Sequence, residues 1–184
     1  MLETHKSAKR DGLTDLRMRA SEDAVEDKAQ IKVVEIKSPA QMDQAWVIRR
    51  RVFIEEQHVP EEIELDADDA RAFHALALDG SEPVGCGRMM MQEGYVKIGR
   101  MAVLQNRRGT GIGRRVLEFL MDAARRQGYR KAALDAQLHA EVFYLKCGYI
   151  PKGEPFEEAG IMHRLMEKDL WGVRSAAHVA DSLL

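Results

Sequence analysis

Apolar positions in this chain switch between two spacings, and the switches mark the elements. "IKVVEI" (Ile31–Ile36) is a short apolar run that predicts a first strand. "SPAQ" (Ser38–Gln41) follows as a capping box with Pro39 at the first helical position. The helix it opens carries Ala45, Ile48, Val52 and Phe53 on one face. "AFHALAL" (Ala72–Leu78) and "EPVGCGRMMM" (Glu82–Met91) predict two strands around a turn at Gly80, and "GYVKIGRMAVL" (Gly94–Leu104) a fourth. The period then lengthens. Val116, Leu117, Leu120, Met121 and Ala124 form the stripe of a helix over about Gly111–Gln127, ended by Gly128. "KAALDAQL" (Lys131–Leu138) is a fifth strand, "HAEVFYLKCG" (His139–Gly148) a short helix, and a last hairpin runs from about Ile150 to Leu170. The order β-α-β-β-β-α-β-α-β-β defines an α/β (α+β) domain over residues 31–171. Residues 1–30 mix both charge signs with few large apolar side chains and predict a disordered tail. Residues 172–184 are expected to be a tail or a short helix.

Composition narrows the function classes. The 184 residues are 45% hydrophobic and 32% charged, which is globular. A formal net charge of -2 gives no basic field for nucleic acid or an anionic membrane. No apolar run approaches the ~20 residues that span a bilayer. The charged N-terminus has no apolar core of a secretory signal, and Glu3, Asp11 and Asp15 argue against a transit peptide. Cys86 and Cys147 lie in apolar segments and read as buried free thiols of a reducing compartment, which implies a cytoplasmic protein. No His/Cys/Asp set has zinc spacing, so no metal is expected. Met89, Met90 and Met91 read as core and pocket filling.

The candidate chemistry lies in "LQNRRGTGIGRRVLEFLMDAARR" (Leu104–Arg126), where Gly109, Gly111 and Gly113 stand at the mouth of a helix. Three phosphate loops compete. A Walker loop needs Gly, four residues, then Gly-Lys-Ser/Thr, and none is present. A dinucleotide fingerprint G-x-G-x-x-G/A fails, because the sixth position is Arg114 or Val116. The remaining pattern is Arg108-Gly109-Thr110-Gly111-Ile112-Gly113, or R-x-x-G-x-G. The first turn of a helix has unpartnered N–H groups and a partial positive charge. Glycines let the backbone close on an anion, so a pyrophosphate suits the site. Arg107, Arg108, Arg114 and Arg115 add charge for further phosphates. The bland alternative is a glycine-rich turn on a solvated basic face.

The string Q/R-x-x-G-x-G/A between a strand and a helix resembles the acyl-CoA pyrophosphate loop of the GNAT superfamily of N-acetyltransferases. "RMAVLQNRRGTGIG" resembles that family's fourth strand and loop, and "FYLKCGY" (Phe143–Tyr149) its F-Y-x-K-x-G-F/Y segment. "RVFIEEQHVPEEIELDADD" (Arg51–Asp69) and "EAGIMHRLMEKDL" (Glu158–Leu170) are similar to a bacterial subgroup described as ElaA-like or YjcF-like. The resemblance covers about Ile31 to Trp171. It implies a mixed, mostly antiparallel sheet of about six or seven strands, splayed between the fourth and fifth at a bulge, with about four helices. It implies acetyl-CoA as cosubstrate, its pantetheine arm pairing with the backbone of Met101, Ala102 and Val103. A main-chain N–H of Val103 or Met101 would stabilise the oxyanion. The pyrophosphate would sit on Arg108, Gly109, Thr110, Gly111, Ile112 and Gly113, next to Arg114. Tyr144 matches the tyrosine that lies near the thioester sulfur in many members, and its hydroxyl would protonate the leaving thiolate. Phe143 and Cys147, four residues apart, are expected to pack inward and leave Tyr144 pointing elsewhere. Dimers are common in the superfamily, so a homodimer is admitted.

The acceptor is expected to be a small-molecule amine or a peptide N-terminus. A primary amine is mostly ammonium at pH 7 and must lose a proton before it attacks. Some members carry a glutamate base on the fourth strand, but no carboxylate lies between Tyr95 and Arg107. Glu55, Glu56, Glu64, His74, His139 and His163 are the candidates. His163 matches a "GI.H" pattern of the subgroup, and we single out His163 or Glu56, with Gln137 orienting substrate. The acidic stretch Glu55–Asp69 has two readings, an electronegative lip for a cationic amine or a solvated loop and short helix. Gln57 and Pro60 fix a turn in either case. Two other function classes stay open: a non-catalytic acyl-CoA-binding module, and a nucleic-acid- or protein-binding domain that uses the arginine cluster.

Overall fold

The computed structural model describes residues 31–172. The expectations for residues 1–30 and 173–184 lie outside them. Seven strands form one sheet: β1 (Ile31–Glu35), β2 (Phe73–Asp79), β3 (Glu82–Gln92), β4 (Tyr95–Val103), β5 (Lys131–Gln137), β6 (Ile150–Glu158) and β7 (Ile161–Asp169), in the order β1-β2-β3-β4-β5-β7-β6. Four α-helices flank it: α1 (Pro39–Arg49), α2 (Glu61–Glu64), α3 (Ile112–Arg126) and α4 (Glu141–Lys146). The expected fold class is the observed one.

The capping box is formed: the Gln41 N–H donates to Ser38 Oγ at 3.3 Å, and Gln41 Oε1 accepts from the Lys37 N–H at 2.8 Å. Past Arg49 the helix widens into a π-helical segment, Arg50–Glu56. Its buried Val52 still joins Ala45 and Ile48 in the core. An apolar period does not distinguish the two helix types, so this widening is not legible in the sequence.

Helix α3 lays Val116, Leu117, Leu120 and Ala124 on the sheet, each fully buried. Burying a side chain of this size stabilises by ~1.5–3 kcal/mol. Gly85 sets how closely the helix mouth approaches: a Cβ there would stand 2.9 Å from Ile112 Cγ2 and 3.1 Å from the Ala102 carbonyl. A glycine on β3 thus lets the glycine loop sit against the end of β4.

Strands β4 and β5 are parallel but pair only at Val96–Ala132 and Lys97–Ala133. Lys97 Nζ meets Asp135 at 2.7 Å near this junction. Beyond it the strands part. The β3–β4 register shifts between Cys86–Ala102 and Arg88–Gly99, so β4 carries an extra residue there, and Arg100 adopts φ 51°. A non-glycine residue in that region is uncommon and marks a real bulge.

Within the acidic stretch, three residues depart from both sequence readings, while Glu55, Glu56, Glu61 and Glu62 are exposed. Glu64, Asp66 and Asp69 are neither a lip nor a solvated loop. Arg49 Nε donates to Glu64 at 2.5 Å and Arg49 Nη1 to Asp69 at 2.8 Å. Arg88 Nη1 reaches Asp66 at 2.6 Å and Asp69 at 2.8 Å. Arg100 reaches Glu64 at 3.0 Å and Asp66 at 2.9 Å. Arginines from α1, β3 and β4 therefore balance three carboxylates. His74 belongs to this cluster, with Nε2 2.9 Å from the Asp69 carbonyl, and burial lowers its pKa.

Burial opposes ionisation of Asp66 and Asp69, but the Arg88, Arg49 and Arg100 guanidiniums outweigh it and hold both below the usual carboxylate range. Depressed carboxyls stabilise the fold above the unfolded value and lose that contribution as pH falls through the folded one. Glu64 works in the opposite sense, because burial pushes it up despite Arg49 and Arg100. Glu64 titrates at or above its ordinary value in both states, so below about pH 4 it no longer changes the balance and the two aspartates decide the sign there. The urea midpoint is expected to hold between pH 7 and 5 and to drop as pH falls below about 4. Circular dichroism at each pH reads it, and a flat midpoint down to pH 3 would refute it.

Candidate active site

The bulge determines which backbone groups face the gap. The Leu104 N–H donates to the Val84 carbonyl at 3.1 Å. Gly85 and Val103 are therefore a non-hydrogen-bonded pair, and the N–H and C=O of Val103 point away from β3 into the splay. The Val103 N–H, one of the two oxyanion donors left open by the sequence, faces the splay. Arg100, at the bulge, donates to the Ile63 carbonyl at 2.8 Å and the Glu64 carbonyl at 3.2 Å, tying β4 to α2.

Two cavities meet at the splay. The first, about 490 Å³, lies between the glycine loop, the end of β4 and α4. Gly111 caps α3 with φ 86°, a left-handed conformation that glycine adopts without strain. The first α3 bond runs from the Arg115 N–H to the Gly111 carbonyl at 3.1 Å. The N–H groups of Ile112, Gly113 and Arg114 precede it and have no helical partner. The second cavity, about 590 Å³, lies between Arg50–Asp68, the splayed strands and the start of the β6–β7 turn. Met101, Val103, Arg108, Ala140 and Tyr144 line both.

Tyr144 stands at this junction. The inward and outward roles on α4 differ from expectation. Cys147 is buried, but Tyr144 is more buried than Phe143, at 8% exposed. Its ring packs edge-on against Phe143 and Tyr149, with centroids 4.9 and 5.9 Å away. Burial pushes the phenol well above its ordinary pKa, so it stays protonated across the physiological range.

Gln137 and His163 are cross-strand partners at the open end of β5 and β7. His163 Nδ1 lies 2.8 Å from the Ile161 carbonyl. A carbonyl only accepts, so Nδ1 carries the proton and Nε2 keeps its lone pair in the neutral ring. Phe156 stacks on the ring at 6.1 Å. Gln137 donates to Gln57 Oε1 at 2.8 Å, which joins β5 to the segment after the π-helix. Residues 80 apart leave no local signal, so this role of Gln57 was not legible in the sequence. His163, Gln137, His139 and Glu64 line the second cavity.

The arginines of the loop are already engaged. Arg107 pairs with Asp79 at 2.7 Å and Glu82 at 2.6 Å. Arg114 pairs with Glu118 at 2.9 Å, and Arg115 donates to the Ile31 carbonyl at 3.1 Å. Arg108 donates through Nε to the Val103 carbonyl at 3.0 Å and through Nη2 to Glu56 at 2.6 Å. Glu56 is thus held by the glycine loop and does not line the second cavity with His163 and Gln137. Thr110 Oγ1 donates to the Arg107 carbonyl at 2.7 Å and closes the loop on itself. Among the described residues no three His, Cys, Asp or Glu side chains converge as a metal site, and no helix is long and apolar enough to cross a membrane.

The sheet is splayed at a bulged strand, with a glycine loop and helix mouth at one end of the gap. Residues 32–170 match the family model described as an acetyltransferase (GNAT) domain, and the chain belongs to that family. Within it the chain stands with the ElaA-like and YjcF-like proteins. It is 39% identical over 140 residues to the Bacillus subtilis (strain 168) protein described as the uncharacterized N-acetyltransferase YjcF, covering 76% of this chain and all of that one. The crystal structure of Escherichia coli ElaA superposes with TM-score 0.68 at 26% identity, over 76% of this chain and 100% of that one. An aminoglycoside 6'-N-acetyltransferase solved with coenzyme A shares the fold, with TM-score 0.63 at 18% identity over 76% of this chain and 97% of that one.

Proposed function

We propose that this protein transfers an acetyl group from acetyl-CoA to a primary amine by direct attack, within a ternary complex. The observation that carries the reading is the meeting of two cavities at Val103 and Tyr144. The coenzyme A bound to a protein of the same fold supports the donor assignment. In this reading the pyrophosphate takes the N–H groups of Ile112, Gly113 and Arg114, and Gly109 and Gly111 keep the approach open. The pantetheine pairs along Met101–Val103, and the Val103 N–H receives the developing oxyanion.

The amine enters the second cavity as ammonium. His163 Nε2 accepts one proton, which then passes to solvent. The free amine attacks the thioester carbon, and a C–N bond forms as the C–S bond breaks. Tyr144 gives its proton to the departing thiolate and is reprotonated by the proton lost from the attacking nitrogen. The sum is amide, CoA thiol and one proton. The free, buried Cys86 and Cys147 suit a reducing, cytoplasmic setting.

Thiol release from acetyl-CoA, followed with a panel of polyamines, amino sugars, amino acids and peptides, tests the reaction. Amine-dependent release is expected for at least one class, and none from any class would contradict the proposal. With the amine so found, His163→Gln is expected to lower turnover about tenfold, because solvent replaces the base only in part. Gln137→Leu is expected to raise the amine KM severalfold and leave the acetyl-CoA KM unchanged. Initial rates at varied concentrations of both substrates separate the two effects.

A further inference from the structure

The Glu56–Arg108 contact has no part in the transfer proposed above, yet it spans the joint of the two cavities. Arg108 lines both. Its Nε occupies the Val103 carbonyl, which faces the splay, and its Nη2 lies 2.6 Å from Glu56 Oε2. The pair is part-exposed, with side chains 44% and 30% accessible, so exchange of partners is cheap. Glu56 ends the π-helical segment whose Val52 and Phe53, with the following Gln57, line the second cavity. Arg107 and Arg114 also line the first cavity, but each is paired with a carboxylate away from the joint, and Arg108 is the loop arginine that lines both cavities and bonds the Val103 carbonyl.

We propose that Glu56 is a resident competitor for Arg108: a built-in anion that the acyl-CoA pyrophosphate must displace, and that retakes the guanidinium as free CoA leaves. The donor then gains the Arg108 contact only by the amount it exceeds Glu56. Withdrawal of Arg108 also clears the Val103 carbonyl for the incoming arm. Glu56 thus lowers donor affinity, and with it the barrier to product release, a step that limits many enzymes. The inference rests on the donor reading above, and its predicted direction is one that a merely structural ion pair would not give: removing the carboxylate should tighten binding.

Calorimetric titration with CoA of the full chain tests it through a double-mutant cycle. Glu56→Gln is expected to bind CoA about two- to fivefold more tightly, the range for a part-exposed pair. Arg108→Gln is expected to bind it more weakly, and adding Glu56→Gln to that variant should change nothing further. Thermal melts of the variants check that each is folded. Unchanged or weaker binding by a folded Glu56→Gln would overturn the proposal, as would equal tightening without Arg108. Failure of the unaltered protein to bind CoA would instead remove the donor reading, and this inference with it.

Discussion

Gly113→Val is expected to abolish measurable acyl-CoA binding, at least a hundredfold loss, while the fold is retained. Gly113 sits in the first turn of α3, in the wall of the first cavity. Unlike Gly111, it is not in the positive-φ region. A Cβ there would meet Phe143 and Val103 at 3.6 Å, an ordinary contact. The protein therefore accommodates the start of a side chain, and the branched remainder extends into the first cavity, where the proposed pyrophosphate would sit. A hundredfold loss corresponds to ~2.7 kcal/mol, the scale of charge-assisted hydrogen bonds to an anion. Gly111→Val is a less clean test. Its φ of 86° imposes strain on any side chain, so lost binding would mix with lost stability. Titration of the two variants alongside their thermal melts distinguishes these causes. A folded Gly113→Val that binds CoA normally would return the loop to a structural turn.

Tyr144→Phe is expected to lower turnover by about a hundredfold or more, with acetyl-CoA affinity close to that of the unaltered protein. The ring is buried against Phe143 and Tyr149, and phenylalanine preserves both contacts. Only the hydroxyl is removed. Burial raises the Tyr144 phenol, so the acid form persists well above neutral pH and this residue contributes no alkaline decline near pH 8–9. Single-turnover rates and the acetyl-CoA Kd, measured on the same preparation, check both halves. A Tyr144→Phe protein with unchanged turnover would assign protonation of the thiolate to solvent.

Much of the fold was legible because its signals are local. The capping box at Ser38, the stripe of α3 and the glycines that end its two flanks each act within a turn or two. The R-x-x-G-x-G loop was legible for the same reason. What stayed hidden depends on partners far apart in sequence. Nothing near Glu64 or Asp69 announces Arg49, Arg88 and Arg100, so part of an acidic run that read as either a lip or a solvated loop lies in a balanced ionic cluster. The bulge on β4 was expected from the family resemblance, but its positive φ falls on Arg100 and not on the neighbouring Gly99, which the sequence did not signal. Glu56 stood out as a carboxylate near the acceptor, but its proximity to Arg108 is set by the meeting of the π-helical segment with the donor loop. Tyr144 was singled out on its motif, while its place at the joint of two cavities comes only from the packing of α4 across the splay.

The central claim is that the splay and its glycine loop hold an acyl-CoA donor. Calorimetric titration of the full chain with acetyl-CoA, with NAD in parallel, tests it most directly. The account predicts saturable binding of acetyl-CoA at micromolar concentration and no heat with NAD. Absence of acetyl-CoA binding by the folded protein would contradict it, and so would equal binding of both nucleotides.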